Sequence, residues 1–112
     1  MKGYNSVVIS GKIYKSAEMV DEDILQFKVV SIRLVKNKKE RTEREDPTQF
    51  IVQIHHEKSE IYKNILLKDI RVIVAGSLKL HTWIDDNKKK QSIHIIIVDS
   101  IQYGDYLIDT KD

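Results

Sequence analysis

Apolar and polar residues alternate along much of the chain, in bursts that are rich in Val and Ile. Alternation with a period of two is typical of strands that bury one face. We therefore predict five strands, near residues 7–13, 24–35, 49–56, 70–83 and 91–103. The only proline, Pro47, lies just before the third predicted strand, where it does not interrupt the pattern. In that strand Phe50, Val52 and Ile54 share the apolar face.

Two features predict how the first two strands bend. Gly11 lies on the apolar face of the first strand, and a glycine there indicates a sharp bend or a close approach of another backbone. The apolar face of the second strand changes phase, from odd positions to even ones, at Leu25, Phe27, Val29, Val30, Ile32 and Leu34. A slip of one residue is what a β-bulge produces, so we predict a bulge in the second strand.

The fourth and fifth predicted strands each have two distinct faces. The inward face of the fourth is predicted to carry Ile70, Val72, Val74, Leu78 and Leu80, which turns Lys79, His81 and Trp83 outward. In the fifth, one face carries Ile93, Ile95, Ile97 and Ile101, and the other carries His94, Ile96 and Val98. The second of these faces is predicted to be an apolar outward strip that meets another subunit or packs under a helix.

One helix is predicted between the third and fourth strands. In residues 57–69, Ile61, Ile65 and Leu66 have helical spacing, and Ser59 is a candidate N-cap. Three strands, a short helix and two strands are the order of the oligonucleotide/oligosaccharide-binding (OB) fold, an all-β, five-stranded Greek-key barrel. We place this domain at residues 1–104, with charged loops at 36–47 and 84–90 and a short C-terminal tail at 105–112.

Composition limits the functional classes. The 112 residues suit one domain, and a net charge of +2 means that any basic surface is local. There is no cysteine, no apolar run long enough to span a membrane, and no N-terminal segment like a signal peptide, so we expect a cytoplasmic location. No phosphate loop or nucleophile with a His/Asp partner is present, and His55 and His56 point to opposite faces. We therefore expect no enzyme, metal or cofactor.

The hairpin KLHTWIDDNKKKQ, residues 79–91, is the main candidate site. It places the only tryptophan, Trp83, on an outer face beside Lys79, His81, Lys88, Lys89 and Lys90. Such a tryptophan can stack on a nucleobase, while the lysines contact phosphates. The alternative is that Trp83 covers the barrel end or an oligomer contact, beside a solvated lysine loop.

The loop at residues 36–46 offers the same two interpretations. Its basic end, with Lys36, Lys38, Lys39 and Arg41, is predicted to follow a nucleic-acid backbone. The alternative is a solvated loop in which these charges pair with the neighbouring acidic residues.

Three segments resemble the single-stranded DNA-binding proteins of bacteria and phages. They are N-S-V-V-I-S-G-K-I at 5–13, Thr48-Gln49-Phe50, and V-I-V-A-G-S-L at 72–78 leading to Trp83-Ile84-Asp85. The resemblance implies that Trp83 and Phe50 stack on bases and that Lys12 and Lys15 are basic contacts. His56 lies near the end of the third strand, where the family has a phenylalanine, and is a candidate contact because a histidine can stack, though less extensively. Arg33-Leu34-Val35 lacks a further aromatic residue that the family often has. We therefore expect weaker binding or a shorter site than is usual in the family.

The resemblance implies sequence-independent binding of single-stranded DNA in replication, recombination or repair. It also implies a homo-oligomer, with a tetramer favoured over a dimer, in the cytoplasm of a bacterium or of a phage host. The family's long tail with an acidic tip has no counterpart in this sequence. Either only the barrel of a longer protein is given, or partners are not recruited in that way. The alternative function is a protein-interaction module, similar to primosomal replication protein N, with weak or no DNA binding.

Overall fold

Six strands and one short 3-10 helix form the computed structural model, which describes residues 3–110. The strands are β1 (Val7–Asp21), β2 (Ile24–Asn37), β3 (Thr42–His55), β4 (Arg71–Ile84), β5 (Lys90–Tyr103) and β6 (Tyr106–Asp109). The helix, Ser59–Asn64, lies between β3 and β4. No helix in this part of the chain is long and apolar enough to cross a membrane.

The strands form one sheet in the order β3-β2-β1-β4-β5-β6, which closes on itself. Closure comes from a parallel pairing of β3 with β5, in which Ile51 lies opposite Ile95 and Gln53 opposite Ile97. β1 links the two halves, because its first part pairs with β4 and its second part with β2. The predicted all-β class, with a five-stranded barrel and one short helix between the third and fourth strands, is confirmed.

The barrel is filled by apolar side chains from the inner face of every strand. The largest fully buried side chains of the core are Phe27, Ile13, Leu25, Ile54, Leu66, Ile96 and Ile101. Burying a side chain of this size stabilises the fold by roughly 1.5–3 kcal/mol. The inward faces predicted for the start of β2, for β3 and for the start of β4 are confirmed by the burial of Leu25, Phe27, Val29, Val52, Ile54, Val72 and Val74.

Two glycines allow strands to approach closely. A Cβ on Gly11 would collide with the carbonyl oxygen of Val30, so the predicted close approach at this position is confirmed. Gly76 does the same on β4, where a Cβ would collide with the carbonyl oxygen of Ile97. At both glycines the backbone of a neighbouring strand comes so close that a larger residue would push the strands apart.

The bulge predicted in the second strand is wrong, because β2 pairs with β3 without interruption from Ile24 to Asn37. Bulges lie instead in β1, at three positions between Ile13 and Asp21, and opposite the Ala75–Gly76 step of β4, where Asp99 is the extra residue of β5. The extra residue Asp99 changes which positions of β5 face the core, from Ile96 and Val98 before it to Ile101 after it. This explains a second error, the predicted outward strip of His94, Ile96 and Val98. Ile96 and Val98 are buried in the core, so the predicted outward strip on that strand does not exist.

Two hairpins extend beyond the barrel as arms, and this explains the remaining errors of phase. β2 and β3 pair up to Asn37 and Thr42, so most of the predicted loop at 36–47 is strand, and Ile32 is 54% exposed. β4 and β5 pair up to Ile84 and Lys90, and Leu80, predicted to face inward, is 55% exposed. Leu78 is exposed as well. Apolar residues in a projecting hairpin keep their alternation although no core covers them.

The predicted helix is present as a 3-10 helix. Ser59 is not its N-cap but its first residue, and its buried hydroxyl lies 3.0 Å from the carbonyl oxygen of Asp23 and 3.1 Å from that of Ile54. Leu66 is fully buried, as its spacing predicted, whereas Ile61 is 62% exposed. The helix attaches to the barrel through the hydroxyl of Ser59, through Tyr62, which packs against the core, and through Leu66, which follows the helix.

The segment predicted as a tail, residues 105–112, begins as part of the sheet. Residues 106–109 form β6, which pairs with β5, and Ile108 is buried in the core. Thr110 continues this attachment, because its hydroxyl lies 2.9 Å from the carbonyl oxygen of Val98. Residues 111 and 112 lie outside the described part of the chain, and the domain boundary at residue 104 stays a prediction.

Candidate nucleic-acid interface

A groove of about 550 Å³ runs over the outer surface of the barrel, across β2, β3, β5 and β4. Residues from the end of β1 border it as well. Its lining consists of Val20, Asp21, Ile24, Gln26, Ile51, Gln53, His55, Lys79, His81, Trp83, Ile93 and Ile95. The length of the groove can be measured along β4 from Gln53 to Trp83, which both line it. Gln53 lies level with Ser77 of β4, because both are paired with Ile97, and Ser77 is six residues from Trp83. Six residues of strand measure about 20 Å, so the groove has room for several nucleotides.

One wall of the groove is the outer face of β4. Alternation along this strand places Lys79, His81 and Trp83 on the same side, as the sequence predicted. The rings of His81 and Trp83 are stacked, with centroids 5.7 Å apart and planes at 25°. Trp83 remains 43% exposed, because the β4–β5 arm carries it beyond the core. An exposed indole whose neighbours hold its orientation is suited to stacking on a flat ligand.

The middle of the groove is apolar. Ile51 of β3 lies opposite Ile95 of β5, and Ile95 lies opposite Lys79 of β4. Ile95 is buried although it faces outward and is not part of the core cluster, and Ile93 follows it towards the arm. An apolar floor between polar ends can accept the faces of bases, while the rim remains accessible to phosphates.

The far end of the groove carries a chain of polar side chains, the Gln26–Gln53–His55 ladder. The Nε2 atom of Gln53 donates to Oε1 of Gln26 over 2.8 Å, and Nε2 of His55 lies 2.8 Å from Oε1 of Gln53. Because that oxygen only accepts, the imidazole carries its proton on Nε2. Partial burial and, secondarily, the positive charge of Lys79 lower the pKa of His55, so the ring is neutral near pH 7.

Asp85 organises the tip of the β4–β5 arm. Its Oδ1 accepts hydrogen bonds from the backbone N–H groups of Asn87 and Lys89, both at 2.9 Å, and its Oδ2 accepts one from Nε2 of Gln91 at 3.0 Å. These bonds, led by that from Lys89, lower the pKa of the Asp85 carboxyl. Residues 86–87 form a turn, and Lys88, which follows it, adopts a positive φ of 61°. Lys88, Lys89 and Lys90 are therefore exposed on a defined turn rather than on a loose loop.

The β2–β3 arm carries the second set of predicted basic residues. Lys36 forms an exposed ion pair with Glu43, with 3.7 Å between Nζ and Oε1, as the alternative of internal pairing predicts for this position. Lys38, Lys39 and Arg41 lie at the tip, with no ion pair to another residue in the range 3–110. Oδ1 of Asn37 accepts a 3.0 Å hydrogen bond from the Lys39 backbone N–H, which fixes the turn.

Of the predicted contacts, Lys79, His81 and Trp83 line the groove. The basic residues of the two arms lie outside this lining, and so do four further predicted contacts. Phe50 is partly buried against the core, and Nδ1 of His56 accepts a hydrogen bond from the Lys58 backbone N–H at 3.0 Å. Lys12 lines a separate groove of about 520 Å³ beside Arg71, and Lys15 forms an exposed ion pair with Glu18. Base stacking by Phe50 and contacts from Lys12, Lys15 and His56 stay predictions.

Sequence reasoning missed the polar end of the groove. Gln26, Gln53 and His55 gave no signal by spacing, because they belong to two strands whose register was unknown. The available signal was their alternation with Leu25, Phe27, Val52 and Ile54, which turns them outward once those residues are placed in the core. His55, rather than its neighbour His56, is consequently the histidine of this strand that reaches the groove.

Comparison with known proteins gives consistent results. The profile of the Single-strand binding protein family matches residues 4–103. The single-stranded DNA-binding protein of Borreliella burgdorferi is 31% identical over 107 residues, or 91% of this chain and 70% of that protein. Two solved structures share the fold. The Plasmodium falciparum SSB complex with ssDNA has a TM-score of 0.81 at 16% identity, over 94% of this chain and 98% of that one. A deletion mutant of the single-stranded DNA binding protein from Thermus aquaticus has a TM-score of 0.75 at 22% identity, over 92% of this chain and 51% of that one.

Proposed function

The chain belongs to the single-strand binding protein family, and on that basis we propose that it binds single-stranded DNA with little sequence preference in the groove across β2–β5. Bases stack on Trp83 and lie over the isoleucine floor. Lys79 and the lysines at the tips of the two arms contact phosphates. Stacking tolerates any base, because every base has a π face, so the site selects for unpaired strands rather than for a sequence.

The observation that carries this proposal is the outward row Lys79, His81 and Trp83 on β4. A tryptophan that served only packing would be covered, whereas Trp83 is 43% exposed over an apolar floor. A cation lies in the same row, and further lysines follow on the turn held by Asp85. Aromatic and basic side chains in one groove form the usual platform for single strands.

The test is a competition between nucleic acids at one fixed salt concentration. A labelled oligo-dT is bound to the protein, and unlabelled single-stranded DNA, RNA or duplex DNA is added as competitor. We expect single-stranded DNA to displace the label at the lowest concentration, because duplex bases are stacked on each other and cannot enter the groove. Equal displacement by duplex would indicate purely electrostatic binding and contradict the proposal.

We also propose that the barrel assembles with copies of itself, as a tetramer in preference to a dimer. The outer face of β1 and β4 supports this, because Val8 is 65% exposed and Ile73 is exposed on the neighbouring strand. Val8 pairs with Ala75 and Ile73 with Ser10, so the two exposed residues are diagonal neighbours on one face. Exposed apolar residues that adjoin on a sheet surface are typical of a protein contact. Light scattering measures the mass directly, and a monomer at micromolar concentration would contradict this part of the proposal.

The alternative of a protein-interaction module has lost its first argument, because Ile96 and Val98 are buried. It retains the exposed apolar residues of the arms, such as Leu80 and Ile32. A gel shift with single-stranded DNA, run beside light scattering, separates the two functions. An oligomer that does not shift DNA would favour the interaction module.

The cellular role follows from the binding activity. A protein that covers unpaired strands acts where duplex DNA is opened, and we propose roles in replication, recombination and repair in the cytoplasm. Such a role needs no catalysis. The titratable residues of the groove, which are Asp21, His55, Lys79 and His81, are assigned to binding and not to a reaction.

A further inference from the structure

We propose that Asn5 positions the β4–β5 arm, so that Trp83 meets a bound strand at the end of the isoleucine floor. The inference rests on the proposed function, and it gives a task in binding to a residue outside the groove lining. Asn5 is a positioning residue, because it acts through the strand that carries Trp83.

The carboxamide of Asn5 makes two hydrogen bonds to the backbone of one residue, Leu78. Its Nδ2 donates to the carbonyl oxygen of Leu78 over 2.7 Å, and its Oδ1 accepts from the Leu78 N–H over 2.9 Å. The two residues are 73 positions apart in the sequence, so the contact joins distant parts of the chain. Each peptide unit is planar, and the N–H and the C=O of Leu78 belong to two successive units. One side chain therefore fixes the orientation of two neighbouring peptide planes.

The contact lies where the pairing of β1 with β4 ends. The last backbone pair on this side is Val7 with Gly76, and two further residues in the same register bring Asn5 opposite Leu78. The carboxamide thus takes the place of the next pair of the antiparallel ladder. Beyond Leu78, no strand within residues 3–110 pairs with this edge of β4, whereas the other edge stays paired with β5 up to Ile84.

The arm is consequently held at its base from two sides. Leu78 lies opposite Ile96 of β5, and Ile96 lies opposite Val52 of β3 in the parallel pairing that closes the barrel. One row across the base of the arm therefore contains Asn5, Leu78, Ile96 and Val52. Without the carboxamide, the edge of β4 would be free from Ser77 onward, and the base of the arm would be held on the β3 side alone.

A small tilt at this base is enough to misplace Trp83. Lys79, the first residue of β4 in the groove lining, follows Leu78 directly, and Trp83 lies five residues beyond Leu78. Five residues of strand measure about 17 Å, so a tilt of about 10° moves the indole by about 3 Å. A gap of about 0.5–1 Å already forfeits roughly a quarter to a half of the attraction between two surfaces. A base resting on the isoleucine floor would then lose its stack on Trp83.

The size of the effect follows from the exposure of the contact. Asn5 lies at the surface, where water competes for both hydrogen bonds. One net hydrogen bond changes an equilibrium by about 2- to 12-fold. The apparent affinity falls with the fraction of molecules whose arm is in position. Loss of Asn5 should therefore weaken binding moderately and leave the fold intact.

The experiment compares three variants with the wild type by anisotropy of labelled oligo-dT. We expect Asn5→Ala to bind about three- to tenfold more weakly. Asn5→Asp should bind no better than Asn5→Ala, because a carboxylate of nearly the same size cannot donate to the carbonyl oxygen of Leu78. The control Asn64→Ala makes the same change at the exposed end of the short helix and should bind as the wild type does.

A double-mutant cycle with Trp83→Ala separates positioning from a general effect on stability. If Asn5 acts by placing Trp83, Asn5→Ala should cost less than about twofold once the indole is absent. Amide exchange at Leu78 in the DNA-free protein should be faster in Asn5→Ala than in the wild type, and thermal melting confirms that each variant is folded.

Three results would overturn the inference. They are a wild-type affinity of Asn5→Ala, a wild-type affinity of Asn5→Asp, and an equal loss of affinity from Asn5→Ala with and without Trp83. Each of them leaves the proposed function standing, because the wild type still binds. A wild type that binds no single-stranded DNA contradicts the proposed function, and this inference with it.

Discussion

His81 lies against one face of Trp83, with ring centroids 5.7 Å apart and planes at 25°. The two residues are two positions apart in the sequence and are therefore neighbours on the outer face of β4, so the strand itself sets their spacing. The contact covers one side of the indole, while 43% of the Trp83 side chain stays exposed. Trp83 is thus held in a fixed orientation at the end of the groove, rather than free to turn in solvent.

Replacing Trp83 tests the stacking platform. Trp83→Ala removes one base–aromatic stack, worth about 1–3 kcal/mol, which corresponds to a loss of affinity of about 5- to 150-fold. Anisotropy with labelled oligo-dT measures this loss, and Trp83→Phe should recover part of it. The control Tyr106→Ala removes another exposed aromatic residue that does not line the groove, and should bind as the wild type does. Equal affinities of Trp83→Ala and the wild type would exclude stacking at this position.

The lysines at the tip of the β2–β3 arm are expected to affect the salt dependence of binding. If Lys38 and Lys39 each contact a phosphate, Lys38→Ala/Lys39→Ala should reduce the slope of log affinity against log salt by about 1.4. Lys58→Ala/Lys63→Ala makes the same charge change beside or within the short helix, away from both arms, and should leave the slope unchanged. An unaltered slope in the first variant would show that these lysines do not contact the strand.

Asp85 should make the β4–β5 turn dependent on pH. Its folded-state pKa is lowered by hydrogen bonds, so its stabilising effect is complete above the pKa of the unfolded chain and is lost as the pH falls through the lowered value. At neutral pH, Asp85→Ala should speed amide exchange at Asn87 and Lys89, the two backbone donors. The difference between the variant and the wild type should disappear as the pH falls through the lowered pKa of Asp85. Identical exchange at neutral pH would mean that the carboxylate does not hold the turn.

Gly76 should be the least replaceable glycine of the barrel. A Cβ there would collide with the carbonyl oxygen of Ile97, which belongs to a strand that closes the barrel and cannot move easily. Gly76→Ala is expected to lower the free energy of unfolding by about 1–3 kcal/mol or more. Gly3→Ala, where no atom lies within 4 Å of the added carbon, should change it by less than about 0.5 kcal/mol. Urea denaturation compares the two, and equal stabilities would contradict the packing described for β4 and β5.

The sequence predicted the fold because its strands are patterned by burial. Leu25, Phe27, Val52 and Ile54 alternate with polar residues, and the structure buries all four. Trp83 was correctly turned outward, although the neighbouring Leu80 was placed in the core and is exposed. Val74 faces the core, and alternation from Val74 along β4 places Trp83 on the opposite, outer face. This alternation holds because β4 contains no extra residue between the two positions. The same counting cannot show where the core ends and an arm begins.

The errors arise where the structure depends on the partner strand. Asp99 is an extra residue of β5, and only the pairing with Ala75 and Gly76 reveals it. Ile96 was consequently assigned to the wrong face. The Gln26–Gln53–His55 ladder depends on the register of β2 with β3, which alternation within one strand does not determine. Phe50 was assigned a stacking role by resemblance, and this role stays a prediction. Its alternation with Val52 places it partly against the core.

The central claim is that unpaired bases reach Trp83. Since Trp83 is the only tryptophan, its intrinsic fluorescence reports on that position alone. Oligo-dT added at low salt should quench this emission in a saturable way, and duplex DNA of the same length should quench it far less. An emission that stays constant while an independent label shows the oligonucleotide bound would contradict the account, because the strand would then lie elsewhere on the barrel.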